Sequence, residues 1–410
     1  MIFAAHQLQE KCQEQYSDLF VTFVDLTKAF DTVSKDGLWK IMEKFGCPSK
    51  FITIVWQFHD GILVKVLDDG DKSEAFPVTN GVKQGCVLAP TLFSMVFSAM
   101  LTDAFHDCQD GMHVRYRTDG GLFNLRRLQA VTKVKETIIR DFLFADDCAL
   151  NAGTEQKMQH EMNCFTRAGD NFGLIISTKK TEVMYQPAPG QPYQEPHITV
   201  KGQELQTVDS FTYLGSTLSR VVNIDAEVIN RIAKASSAFG RLRILGERLL
   251  FIKWQDKIPD TEVLELAGIS SIHTLIQKAQ VRWAGNVVRM ADSRLPKQLL
   301  YGELYEGKRS VGGQKKRFKD SHEASLKDKN INVSTWEQLA INRSTWRSKV
   351  STGACAAEKR RTTEAQLKRA ARKARAGHTS NTVPTHTCPV CGRTLRARIG
   401  LISHLRTHSN

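Results

Sequence analysis

Residues 138–152 read IIRDFLFADDCALNA, two apolar runs separated by the adjacent carboxylates Asp146 and Asp147. Apolar, aromatic stretches on either side of a short polar turn form a hairpin, so both acids are expected at its tip. Towards the N-terminus, Leu19 to Leu26 (LFVTFVDL) is a strand of similar character and carries Asp25 at its end. Taken singly, each acid is an ordinary turn or cap residue. Three at strand ends are different, because like carboxylates about 4 Å apart repel by about 4 kcal/mol at an effective dielectric near 20. Such a cluster calls for a counter-ion, and two magnesium ions about 3.5–4 Å apart are the arrangement that serves in-line phosphoryl transfer.

Around these stretches, strand-like and helix-like segments alternate. Ser34 caps a helix with Leu38, Ile41, Met42 and Phe45 at helical spacing, ended by Gly46 and Pro48. A second helix runs from Ser49 to His59, followed by strands at Ile62–Leu67 and Ala75–Val78 around the turn DDGD. Pro90 opens an apolar helix to Phe105, and residues 107–135 form an irregular insertion with a strand near Met112 to Tyr116. Thr154 caps a helix closed by Gly173, after which LIIS, TEVMY, ITVKG and FTYLGSTL supply further strands. Helices are expected over Asp225–Leu250, across 260–300, and in the basic stretch 355–376 that leads to the linker GHTSNTVPTHT. The fold class is α+β.

The 410 residues are 41% apolar and 24% charged, which suits two or three globular domains. The longest apolar run, Leu88 to Leu101, is interrupted by Pro90, Thr91 and Ser94, so no membrane association is expected. The start MIFAAHQLQEKC lacks the pattern of a secretory signal, which makes the nine cysteines reduced thiols or metal ligands in an intracellular, nuclear protein. Net charge is +14, and residues 297–410 hold 24 Lys and Arg against 8 Asp and Glu, leaving 33 against 35 before them. A positive field confined to the last quarter favours nucleic acid, although a solvated basic tail has the same composition.

With the carboxylates in place, a resemblance emerges. FVDLTKAFDTV, GVKQGCVLAPTLFS, FLFADDCAL, GLIISTKKTEVM and FTYLGSTLS resemble, in order and spacing, the polymerase motifs of reverse transcriptases from non-LTR retrotransposons, particularly the RTE/BovB-like branch. The similarity spans about residues 1–243 and resumes at about 253–410 with WQDKIPDTEVL, RWAGNVVRM and GGQKKRFKD. It implies a right-hand polymerase palm, an antiparallel sheet packed by helices, that extends a DNA primer on an RNA template with deoxynucleoside triphosphates. Asp25 and Asp146 would hold two magnesium ions, with Asp147 as a weaker neighbour. Phe30 would gate against the ribonucleotide 2′-OH, or else be a core ring; Gln84 and Gly85 would border template and incoming nucleotide. Lys180 would neutralise phosphate charge, unless it and Lys179 form a solvated turn.

Met1 stands only 24 residues before Asp25, where this family carries a longer fingers segment, and few residues lie between FGRLRIL and FIKWQDKIP, where it carries a thumb. The expected division is therefore a palm with truncated fingers over 1–220, a helical connector or thumb remnant over 221–300, a basic helical region and linker over 301–385, and a metal module over 386–410. A polymerase is the leading reading. Its rival is a catalytically silent nucleic-acid-binding remnant.

The metal module rests on spacing. Cys388, Cys391, His404 and His408 form C-x2-C-x12-H-x3-H, the Cys2His2 pattern that holds one structural zinc in a ββα finger. Leu395 and Leu401 sit where its small core needs apolar residues. The usual base-reading positions fall on Ala397, Gly400 and Ser403, which cannot make bidentate contacts, whereas Arg393, Arg396, Arg398 and Arg406 suit phosphates. Protein binding by the finger remains open.

Overall fold

All six residues of LFVTFV are buried, which places this strand between two layers rather than at a surface. The computed structural model describes residues 1–130, 132–222, 227–229, 231–235, 237, 260–266, 268–307, 309, 317–378, 386–395 and 398–408. From the N-terminus, helix α1 (Ile2–Gln15) leads into β1 (Leu19–Val24), then α2 (Lys35–Lys44), α3 (Ser49–His59) and α4 (Ala89–Ala104). Strands β2 (Met112–Tyr116), β3 (Lys135–Ile139), β4 (Asp141–Phe144) and β5 (Asp147–Ala152) precede α5 (Glu155–Phe172). Strands β6 (Glu182–Gln186), β7 (Gln206–Thr207), β8 (Ser210–Tyr213) and β9 (Ser216–Ser219) follow. The C-terminal part holds α6 (Ile272–Arg289), α7 (Leu295–Tyr301), β10 (Gly302–Leu304), α8 (Phe318–Asp328), α9 (Trp336–Ile341) and α10 (Arg343–His378). A hairpin of β11 (His386–Thr387) and β12 (Thr394–Leu395) with helix α11 (Arg398–Leu405) ends it.

The main sheet has the order β7-β6-β1-β5-β4, antiparallel except for the β6–β7 pair. Alternation along β1 divides its side chains between two cores. Phe20 and Val24 pack with Phe93 and Phe97 of α4 and Met158 and Phe165 of α5. Leu19, Val21 and Phe23 pack with Ala4, Leu8 and Cys12 of α1 and with Tyr213 and Leu218 of the β8–β9 hairpin. Buried Thr22 satisfies its hydroxyl on Met158 Sδ at 3.0 Å. Cap chemistry sets the helix starts: Ser34 Oγ accepts from the Gly37 N–H at 3.2 Å, and Thr154 Oγ1 from the Lys157 N–H at 3.3 Å.

The stretch 138–144, read from sequence as one strand, is divided at Arg140. Ile138 and Ile139 pair with His113 and Met112 in a second sheet ordered β10-β2-β3, whereas Asp141 pairs with Leu150 in the main sheet. The change of sheet is pinned by the Arg140 side chain, which donates to the carbonyls of Asp110 (3.1 Å) and Cys108 (2.6 Å). The strand expected over Ile62–Leu67 is replaced by two short pairs, Leu63–Val64 with Phe76–Pro77 and Leu67–Asp68 with Asp71–Lys72.

A third core of α6, α8, α9 and α10 gathers Val281, Ala284, Leu326, Trp336, Trp346 and Val350. Helices α6 and α10 meet at Gly285, where an added Cβ would lie 2.1 Å from Trp346 Nε1, so only glycine allows this approach. Among the described residues, no helix is long and apolar enough to cross a membrane. The sequence-expected helix over Asp225–Leu250 lies mostly outside the described residues, as do residues 244–252, most of GGQKKRFKD, and Arg396 and Ala397.

Candidate active site and metal centre

Register brings the acids of two strands to one end of the main sheet. Val24 is opposite Cys148, and the same register continued by one residue sets Asp25 level with Asp147. Phe144 pairs with Asp147 across the turn formed by Ala145 and Asp146, and Ala145 adopts the left-handed φ of 55° that so short a connection needs. The backbone of Asp25 is held by the loop GLIISTKKT: its N–H donates to Thr181 Oγ1 (3.2 Å) and its carbonyl accepts from the Ser177 N–H (2.8 Å). Lys180 Nζ stands 3.7 Å from Asp25 Oδ2, a distance of attraction but not of a hydrogen bond.

Asp25 Oδ2 is therefore buried without a hydrogen-bond partner among the described residues. The Asp147 carboxyl is held above its ordinary range, first by burial and then by the charges of Asp146 and Asp25. These acids repel one another, and one oxygen lacks a donor. A hard divalent cation satisfies both conditions, so the donor set fits magnesium. The oxygens of the three acids do not all lie within 4.8 Å of one another.

The remaining sequence-predicted residues lie on the segment after Asp25 and on the GVKQG turn bonded to it. Phe30 is half-buried, its ring 4.7 Å from that of Phe93 at 32°. Its carbonyl accepts from the Val82 N–H (2.9 Å), and the Gly81 N–H donates to Val33 O (2.7 Å), which stitches the GVKQG turn to the Asp25 loop. Gly81, not singled out from sequence, is the glycine in close contact: its φ is 89°, and a Cβ there would meet Asp31 O at 2.8 Å. Gly85, φ 88°, has open space where its Cβ would be, and Gln84 beside it is exposed.

A second group was missed because its members are far apart in sequence. Asp110 Oδ2 lies 2.5 Å from His160 Nδ1 and accepts from Cys108 Sγ at 3.3 Å. Next to them, Glu161 is fully buried with both carboxylate oxygens unpartnered among the described residues. Burial, then the charge of Asp110, pushes its carboxyl up to about 9, so it is protonated at neutral pH. The folded state thus holds a proton that the unfolded chain releases above about pH 4.5. Stability from this site is complete below that pH and declines as pH rises towards 9. Glu161→Gln is expected to stabilise the protein by roughly 3 kcal/mol at pH 7. Thermal unfolding across pH 5 to 9 checks this, with a variant-to-parent gap that widens as pH rises; a constant gap would contradict it.

At the C-terminus, Cys388, Cys391, His404 and His408 place one ligand atom each within 4.8 Å of all the others. The Cys388 N–H donates to Arg393 O (2.8 Å) and the Gly392 N–H to Cys388 O (2.9 Å), which folds the two thiols onto a tight knuckle. His404 Nε2 lies 3.2 Å from His408 Nε2 and 3.1 Å from Cys391 Sγ. With Zn–N near 2.0–2.1 Å, a regular tetrahedron has N···N edges of about 3.3–3.4 Å, so the imidazoles are close to a zinc geometry. Leu395 and Leu401 of the same module are half-buried. In the basic stretch before the linker, Arg360 and Arg361 are engaged with Asp328, while Lys368 pairs with exposed Glu364.

Comparison with known proteins gives these arrangements a context. Residues 2–218 match the family model described as reverse transcriptase (RNA-dependent DNA polymerase). The chain is 26% identical over 216 residues to the RNA-directed DNA polymerase from mobile element jockey of Drosophila melanogaster, covering 51% of this chain and 20% of that protein. It is 31% identical over 88 residues to the retrovirus-related Pol polyprotein from type-2 retrotransposable element R2DM of Drosophila melanogaster, covering 22% and 8%. It is 23% identical over 205 residues to the corresponding polyprotein from type-1 retrotransposable element R2 of Popillia japonica, covering 48% and 30%. The chain thus spans less than a third of the length of these relatives.

Proposed function

Because the chain belongs to the reverse transcriptase (RNA-dependent DNA polymerase) family, we propose that its sheet-end carboxylates serve extension of a DNA primer on an RNA template. The observation that carries this reading is the buried, partnerless Oδ2 of Asp25 on the same sheet end as Asp146 and Asp147. Family membership implies use of a divalent metal, and Asp25 and Asp146 are the residues assigned to hold two magnesium ions, with Asp147 as neighbour. When bound, magnesium activates the primer 3′-hydroxyl and offsets charge on the triphosphate. Lys180 adds a point charge towards the same phosphates, and the Gln84–Gly85 turn borders the template and incoming deoxynucleotide. Phe30, supported by Phe93, closes the space beside the sugar. Cys388, Cys391, His404 and His408 hold one structural zinc, and the finger and exposed end of α10 contact nucleic acid. We assign the chain to the RTE/BovB-like branch and to the nucleus.

Purified chain, magnesium, homopolymer RNA and an annealed primer test the proposal: extension that requires both deoxynucleotide and metal is expected, and its absence in every template–primer pairing would overturn it. Phe30→Ala is expected to raise ribonucleotide incorporation relative to deoxynucleotide by about tenfold or more, since the ring excludes the 2′-OH by contact alone. A constant ratio in the folded variant makes Phe30 a core residue only.

A further inference from the structure

A cleft of about 380 Å³ opens between α6 and α10, remote in sequence from the palm motifs and from the finger. Arg282, Trp283 and Arg289 line it from α6, and Arg343, Trp346 and Arg347 from α10. The spacing explains the convergence, since positions i, i+3, i+4 and i+7 fall on one helix face and both helices turn that face to the cleft. Four guanidinium groups thus share one concavity, and no carboxylate lines it. Among the described residues, none of the four forms an ion pair; Arg289 donates to Ala340 O at 2.5 Å and is held below its usual basicity by burial and by Arg343.

Such a concentration of like charge is unfavourable in the free protein. Nothing in the core requires it, because α6 and α10 are already joined by Trp346 seated on Gly285. Trp283 adds an indole that packs edge-on against Phe3, centroids 5.6 Å apart, yet stays 36% exposed. Guanidinium forks grip phosphate oxygens bidentately, and an exposed indole beside them offers a stacking platform for an unpaired base.

We propose that this cleft is a binding site for single-stranded nucleic acid, gripping the phosphodiester backbone through Arg282, Arg289, Arg343 and Arg347 and stacking a base on Trp283. It is separate from the aspartate cluster and from the basic residues of the 355–376 stretch, and it holds whether or not the palm polymerises. The charge selects a polyanion. The aromatic face selects nucleic acid over an acidic peptide or an anionic lipid surface.

The test uses the full chain without magnesium, so that no extension occurs, and anisotropy of a labelled single-stranded RNA oligonucleotide. Arg282→Gln with Arg347→Gln, both at exposed positions, is expected to weaken binding at low salt by about tenfold or more and to reduce the slope of log affinity against log salt by about 1.4, or 0.7 per lost phosphate contact. Trp283→Ala should weaken binding roughly five- to a hundredfold with the slope unchanged, separating stacking from charge. An arginine double variant with the parent affinity and slope would overturn the proposal, as would one that loses only binding to phosphatidylserine vesicles.

Discussion

Asparagine at Asp25 or at Asp146 is expected to lower magnesium-dependent primer extension by about a thousandfold or more, with unfolding temperature close to that of the parent. The argument for stability comes from what little holds these side chains. Asp25 has one ion pair, to Lys180, between side chains that are 41% and 73% exposed, and such a pair contributes at most about 1 kcal/mol. Its other attachments are backbone hydrogen bonds that asparagine keeps. Removing either charge also relieves Asp147, whose carboxyl falls only part of the way back because burial is the larger cause. Catalysis is therefore expected to fall while folding stays nearly unchanged. Circular dichroism with steady-state extension on the same preparation separates them, and extension at the parent rate by both variants would remove the catalytic assignment.

Loss of metal from the C-terminal module is expected to unfold residues 386–410 and leave the palm intact. Among its described residues the module buries only Cys388 fully and half-buries Leu395 and Leu401, too little apolar area to fold unaided. Ligand convergence must supply the stability, and structural zinc contributes about 10–16 kcal/mol of apparent binding free energy in such peptides. Chelation should collapse the amide dispersion of these residues in NMR spectra while most helical signal persists, and Cys391→Ser should do the same without chelator. Metal analysis should find one zinc per chain, lost in that variant. A metal-free protein whose finger amides remain dispersed would sink the assignment.

What was legible in the sequence depended on short range. The Asp146–Asp147 turn and the cysteine knuckle join neighbouring residues, so local pattern was enough to place them. Helix α1 escaped notice for the opposite reason. Its buried face carries Gln7, Gln9, Lys11 and Gln15, which look like solvent residues until their partners are known. Lys11 donates to Gly302 O (2.6 Å), Gln9 to Ser219 O (3.1 Å), and Gln15 Oε1 accepts from the Leu304 N–H (2.7 Å). All three partners lie more than two hundred positions away. Arg140 and Glu161 follow the same logic: a break between sheets and a buried neutral acid are set by Cys108 and Asp110, which no periodicity connects to them. Gly81 was overlooked beside Gly85 because a turn with two glycines does not reveal which one touches the neighbouring backbone.

Helix α10 runs for 36 residues, which at 1.5 Å per residue is about 54 Å of continuous rod. Its first part is bolted to the third core through Trp346 and Val350, and Ala354 and Ala357 after them are also buried. Arg360 and Arg361 still tie it to Asp328, and beyond them no described residue of it is buried, so about 25 Å projects as a boom. A rigid boom converts attachment at one end into a fixed standoff at the other. The far end of the helix is thus set at a distance counted in helical turns, and removing seven residues would draw that end inward by about 10.5 Å and turn it by about 20°. Insertions in this helix would act as changes of both length and phase, whereas the same insertions in a loop would alter neither in a defined way.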